Sequence, residues 1–410
     1  MARAEKGTVV VIGGGAAGHM AAIAASSQGA RVLLLEGSDK LLAKVRISGG
    51  GRCNVTHACV EPARLARHYP RGGPFVRKVF EAFGQPHTVA WFAAHGVRLH
   101  TEADGRMFPS TNDSRTVIDA LTHATQRAGV VTRLQHPVRG LDPVEGGWRL
   151  TGTFGSMDAA AVVVATGGSP KLEGLGWLHQ LGHSVVPPVP SLFTFNIPDV
   201  GLRALMGVAA DPVRVRLAGL NLDALGPVLI THWGLSGPAV LRLSAFGARA
   251  LHERGYRYTV LVDWTGGVGE ATVVHALDRA IADHPRKQVV NTPLFGLASR
   301  LWTYLCCTAE LPETKPWGEL GRRGRDKLVA VITNQPFQAQ GKTTFKEEFV
   351  TAGGIDLAQV DPRTLESRVA PGLHFAGEVL DIDGITGGFN FQAAWSTGHV
   401  AGRHAAQCTT

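Results

Sequence analysis

The apolar positions near the start of the chain run together instead of alternating. "TVVVIGGG" (Thr8–Gly15) is a β-branched run that breaks into three glycines, and "AAGHMAAIAASSQGA" (16–30) follows as small residues at helical spacing. "RVLLLEG" (31–37) is again a continuous apolar run. Runs of this kind fit strands buried on both faces of a parallel sheet. The pattern therefore predicts strand, glycine turn, helix, strand.

Further along, "KLLAKVRISGGGRCNVTHA" (40–58) reads as a basic, Gly-rich loop, and helical patterns cover Phe75–Phe83, His87–His95 and Asp113–Ala128. Residues 136–168 read as a two-stranded stretch ending in "VVVATGG" (Val162–Gly168). "VVPPVPSL" (185–192) reads as a Pro-rich joint. Short strands are expected over 193–251, helix near 268–310, and strands again in "RRGRDKLVAVITNQPFQAQGKTTFKEEFV" (322–350). The last segment, "GLHFAGEVLDIDGITGGFNFQAAWSTGHVAGRHAA" (372–406), reads as strand, Gly-rich loop and small-residue helix. The expected organisation is a first domain over 1–189 that returns over 346–410. It is interrupted by an insertion over 190–345.

Length and composition narrow the class. A chain of 410 residues is too long for one simple core, and 44% hydrophobic with 18% charged residues is ordinary for a globular enzyme. No apolar run is long enough for a membrane helix, and the N-terminus enters a strand without a signal-peptide pattern. The five cysteines are few and lack a CxxC pair, which fits a reducing cytoplasm and argues against a disulfide framework or structural zinc. The net charge of +8 is concentrated: residues 40–140 hold 15 Lys and Arg against 6 Asp and Glu, leaving the remainder near neutral. Such a block suits a polyanion, nucleic acid foremost, or is simply a solvated basic face.

The glycine turn carries the first chemistry. Gly13-x-Gly15-x-x-Gly18 sits between strand and helix, as a dinucleotide fingerprint requires. Gly13 permits the turn, Gly15 lets backbone approach a pyrophosphate, and Gly18 lets helix and strand pack closely. Glu36 ends the second strand, where a carboxylate can accept hydrogen bonds from a ribose hydroxyl. The strand-then-glycine run at 162–168 and the strand ending in Gly377-Glu378 are flavoprotein features. No second strand–GxGxxG–helix unit is present to house NAD(P)H. FAD is therefore the expected cofactor, with NAD(P)H at most a transient electron donor.

With these segments in hand, the chain resembles the BaiN/YhiN-type, RdsA-like flavoproteins, a family of NAD(P)/FAD-dependent oxidoreductases. The matching stretches include "KVRISGGGRCNVT", "GRMFPST", "THWGLSGPAVL", "FVTAGGI" and "GEVLDIDGITGGFN", and together they span Val9 to Gly398. The resemblance implies an α/β fold: a Rossmann-like FAD-binding domain of the glutathione-reductase type. Into it are inserted a β-barrel (about 190–255 and 328–345) and a helical subdomain (about 260–327). It also implies reduction of a conjugated C=C bond, with either ribosomal-RNA uridine or a small enone such as a bile-acid ketone as substrate. A flavin redox carrier or sensor is the remaining class.

Expected cofactor contacts are Gly13, Gly14, Gly15, Ala16, Ala17 and Gly18 in the turn, and Glu36 and Gly37 beyond the second strand. Lys44, Ser48, Gly49, Gly51, Arg52 and Asn54 lie on the basic loop, and Thr166 and Gly167 follow the 162–165 strand. Gly377, Glu378, Gly387, Gly388, Phe389 and Asn390 come from the C-terminal motif. Cys53 is the candidate proton donor, or else a small residue packed under the cofactor. Its pairing with Cys59 as a redox disulfide is disfavoured, because five residues intervene. His232 is a candidate acid or substrate anchor, or a structural histidine at its turn. Asp381 and Asp383 read as solvated turn formers.

Overall fold

The computed structural model describes residues 7–343 and 350–409. Expectations that fall on 344–349, including Phe349 of "FVTAGGI", lie outside the described residues. Two compact units result: Met1–Ser191 with Lys346–Thr410, and Leu192–Phe345.

The first unit is built on β1 (Thr8–Ile12), α1 (Ala16–Ser27), β2 (Arg31–Leu35), α2 (Ala43–Gly51), β3 (Val131–Arg133) and β4 (Ala161–Val164). Later in the chain come β5 (Val185–Ser191), β6 (Val350–Ile355), β7 (Leu373–Phe375) and α3 (Phe389–Gln407). A five-stranded parallel sheet has the order β7-β4-β1-β2-β3. Val9, Val10 and Val11 are fully buried on it, which explains why β1 reads as an unbroken apolar run. Each such side chain contributes roughly 1.5–3 kcal/mol relative to exposure.

Small residues let α1 and α3 pack backbone to backbone. A Cβ on Gly398 would stand 2.4 Å from the carbonyl oxygen of Ala17, and one on Gly402 would stand 2.1 Å from that of Ala21. No larger residue fits either position. A three-stranded antiparallel sheet (Val138–Val144, Gly147–Gly152, Gly155–Ala159) packs on the parallel sheet, where the single sequence reading had two strands. Its Trp148 donates to Pro371 O at 3.2 Å.

The Pro-rich joint is itself strand β5, paired antiparallel with β6 and with no other strand among the described residues. Prolines cannot donate to a ladder, and the pairing slips between Val186 and Val189, where Pro187 and Pro188 sit.

The second unit curls a seven-stranded antiparallel sheet. Its order runs Gln335–Gln340, Arg257–Asp263, Ala209–Leu217, Asp223–Thr231, Gly234–Ser236, Thr194–Asn196, Lys342–Thr343. The first and last strands of that order are consecutive in the chain, joined through Gly341 alone, so the sheet bends back toward itself. Helices Glu270–Asp283, Ser299–Thr308 and Gly321–Asn334 share one core with it, around Trp264, Trp302 and Trp317. Residues 321–334 are thus helix where the sequence reading expected strands, and helix extends past 327. Leu328, Val329 and Ile332 form the buried side of that helix, so the β-branched residues serve a helical face.

Candidate functional site

In an open parallel sheet, ligands bind beyond the strand C-termini where chain direction switches sides. Here that point lies between β1 and β4. Gly13 has φ +112°, and a Cβ on it would meet Ala165 O at 2.3 Å, so only glycine lets the turn pass β4. A Cβ on Gly18 would stand 1.8 Å from Gly13 O. One on Gly14 would meet Leu41 Cδ2 at 2.4 Å. Gly15 differs from all three: a Cβ there would find nothing within 4 Å. Open space thus faces the N-terminus of α1, whose first-turn amides at Ala16 and Ala17 have no partner within the helix and carry its positive end. Those features fit an anionic pyrophosphate.

Glu36 is fixed beside this space. Its Oε2 accepts from Gly14 N at 2.7 Å and its Oε1 from Ser38 N at 2.7 Å, while Gly37 is exposed. Carboxylate lone pairs remain for a hydroxyl donor. His19, absent from the sequence reading, is buried beneath the turn with Nδ1 3.0 Å from Gly15 O. Burial lowers its pKa to about 4.

Beyond β4, Thr166 is exposed and Gly167 takes φ +78°. Beyond β7, Gly377 N donates to Thr397 Oγ1 at 2.8 Å. Glu378 accepts from Lys44 Nζ and from Thr351 N, at 2.7 and 2.8 Å. Lys44 and Glu378 therefore bind each other across 334 positions of chain.

The two most distinctive sequence motifs lie against each other. α2 is interrupted at Ser48 (ψ 147°), Gly49 (φ +58°) and Gly50 (φ +69°), and Gly51 follows at φ +85°. Ser48 Oγ donates to Val45 O at 3.0 Å. Asn54 Oδ1 accepts from Gly388 N at 3.0 Å, and its Nδ2 donates to Thr56 O at 3.0 Å. Gly388 fits only because it has no side chain, since a Cβ would lie 2.5 Å from Thr56 O. Gly387, at φ +125°, packs under the Phe389 ring. Asn390 clasps the loop before it, accepting from Gly384 N at 2.8 Å and donating to Gly384 O at 2.9 Å.

Several side chains expected at a ligand are engaged elsewhere. Phe389 is 2% exposed and packs in one cluster with His57 and His68, at 4.8 and 4.3 Å between ring centres. Arg52 binds Glu102 through Nη1 at 2.7 Å and lies 4.0 Å over the Phe108 ring. Asp383 is fully buried, ion-paired to Arg71 and bonded by Ser191 Oγ at 2.7 Å, which corrects its reading as a solvated turn former. Burial raises its carboxyl above the ordinary value while Arg71 opposes that shift.

Cys53 is 0% exposed at φ +60°, and burial pushes its thiol up to about 12. The Cys53 sulfur thus has no contact with solvent. Cys53 and Cys59 are free thiols. His232 belongs to the second unit, exposed at the turn after Asp223–Thr231, with its ring 4.8 Å from that of Trp233.

Comparison with known proteins agrees with this architecture. The chain is similar to the ribosomal RNA dihydrouridine synthase of Escherichia coli K12, at 31% identity over 403 residues and 96% of each chain. It is similar to the 3-dehydro-bile acid delta(4,6)-reductase of Clostridium scindens, at 30% identity over 97% of this chain and 98% of that one. Among solved structures, the open conformation of a flavocytochrome c3 fumarate reductase shares the fold at TM-score 0.53 and 17% identity, covering 99% of this chain and 79% of the other. The fold is thus a Rossmann-type FAD-binding α/β fold. The family model described as HI0933-like protein Rossmann domain matches residues 7–404, and the chain belongs to that family.

Proposed function

We propose that the protein is a cytoplasmic FAD-dependent reductase of a conjugated C=C bond, with uridine in ribosomal RNA as substrate and dihydrouridine as product. Both named relatives support reduction of such a bond, and their near-equal identities do not separate RNA from a small enone. The observation favouring RNA is the surface of the first unit. Arg64, Arg67, Arg98 and Arg115 are exposed within the basic 40–140 block. Exposed arginines attract a phosphate backbone and release its counterions.

Bound FAD, in its reduced form, would supply a hydride for the carbon β to the carbonyl, which in uracil is C6. The chain's own residues would then act as follows. The α1 amides and the space at Gly15 would seat the pyrophosphate, and Glu36 would accept from a ribose hydroxyl. The N-terminal amides of α3 would favour negative charge on the ring edge of the cofactor. With Cys53 sealed in the core, His232 is the proposed acid that protonates C5, and the second unit is the proposed substrate-facing part. NAD(P)H is the proposed electron donor, binding transiently.

Mass spectrometry of nucleosides from ribosomal RNA tests this in a strain lacking the gene. Dihydrouridine disappears in the deletion and returns with the wild-type chain and with Cys53→Ala, but not with His232→Ala. An unchanged dihydrouridine level in the deletion would overturn the RNA assignment in favour of an enone. Return with His232→Ala would remove that residue from the chemistry.

A further inference from the structure

The C-terminal end of α3 meets the middle of β7 at a group of side chains that the flavin chemistry does not use. One ligand atom from each of Glu366, His374 and Cys408 lies within 4.8 Å of the other two. His374 is fully buried on β7, and neither ring nitrogen makes a hydrogen bond among the described residues. An orphaned buried imidazole costs free energy unless something else satisfies it. Glu366 is oriented by one oxygen, which accepts from Gly372 N at 2.8 Å. Cys408, exposed at the helix end, points its thiol at His404 O over a long 3.8 Å.

We propose that Glu366, His374 and Cys408 bind a divalent transition metal of the zinc type. Thiolate, imidazole and carboxylate together suit zinc over calcium or magnesium. Ligands of a tetrahedral zinc stand about 3.3–3.6 Å apart, so the three atoms, all within 4.8 Å of one another, would draw together by no more than about 1.5 Å to share one ion. Binding releases the Cys408 thiol proton to solvent, gives His374 a partner, and fastens the end of α3 to β7. The site is distinct from the dinucleotide crevice. α3 has 19 residues, so its two ends stand about 28 Å apart.

The full-length protein, stripped with a chelator and dialysed against zinc chloride, tests this by metal counting. One zinc per chain is expected in the wild type, and affinity should fall at least about tenfold in Cys408→Ser and in Glu366→Gln. His374→Ala opens a hole in the core, so Cys408→Ser, at an exposed position, is the decisive variant. Zinc should also protect Cys408 from alkylation while exposed Cys307 stays reactive. The assignment is overturned if the wild type takes up no zinc, or if the wild type and both variants bind it equally. Alkylation of Cys408 at the same rate with and without zinc would also overturn it.

Discussion

At the scale of single residues, two glycines of one motif do opposite work. A side chain at Gly15 enters open space, whereas one at Gly18 strikes the carbonyl of Gly13. Gly15→Val should therefore melt like the wild type without cofactor yet retain much less FAD, read as the ratio of flavin to protein absorbance. Gly18→Ala should lose about 1–3 kcal/mol of stability by overpacking before any question of cofactor arises. His19 gives a pH dependence. Its folded pKa, about 4, lies below the ordinary 6.5, because burial disfavours the charged ring. Unfolding frees the ring to take up a proton, so its contribution is present above pH 6.5 and lost as pH falls toward 4. The loss is about 3 kcal/mol over that window, and urea unfolding of His19→Gln should show a shallower acid slope. Cys53 shows why residue roles were hard to read from sequence. A cysteine in a glycine-rich loop looks exposed, and its complete burial depends on the fold and not on its neighbours in sequence.

Among elements, the legible ones were those whose pattern has one physical cause. β1, α1 and β2 were plain because a parallel strand buried on both faces must be apolar throughout, and the turn between them must be glycine. The helix at 321–334 was misread because "KLVAVIT" is rich in β-branched residues, whose strand preference yields to burial of Leu328, Val329 and Ile332 along one helical side. β5 was misread because its prolines suggest a linker, although an edge strand tolerates them. Lys44 with Glu378, and Asn54 with Gly388, were beyond reach, since each pair joins opposite ends of the sequence. Arg71 binds the loop between β7 and α3 through buried Asp383. Arg71→Ala leaves that carboxylate in the core with the Ser191 hydroxyl but without its counter-charge, and should cost about 3–5 kcal/mol in denaturant unfolding.

On the scale of the whole molecule, charge is the property that sequence alone shows best, because it does not depend on the fold. Reversing Arg64 and Arg67 to glutamate should weaken RNA binding across sequences and flatten its dependence on salt by roughly two phosphate contacts. Flavin content should stay unchanged, and filter binding over a salt series reads the effect. The interlocking of α1 with α3 through Gly398 and Gly402 also bears on how the protein is made. The strand and helix that complete the first unit, β7 and α3, are synthesised after the whole of the second unit, which is contiguous in the chain. At about 5–20 residues per second, the small-residue side of α1 waits on the order of ten seconds or more for α3, whereas β1 finds its ladder partners β2 and β4 before the second unit is made. The nascent sheet therefore stays open along β4, and the glycine-facing side of α1 stays bare, until β7 and α3 have been made.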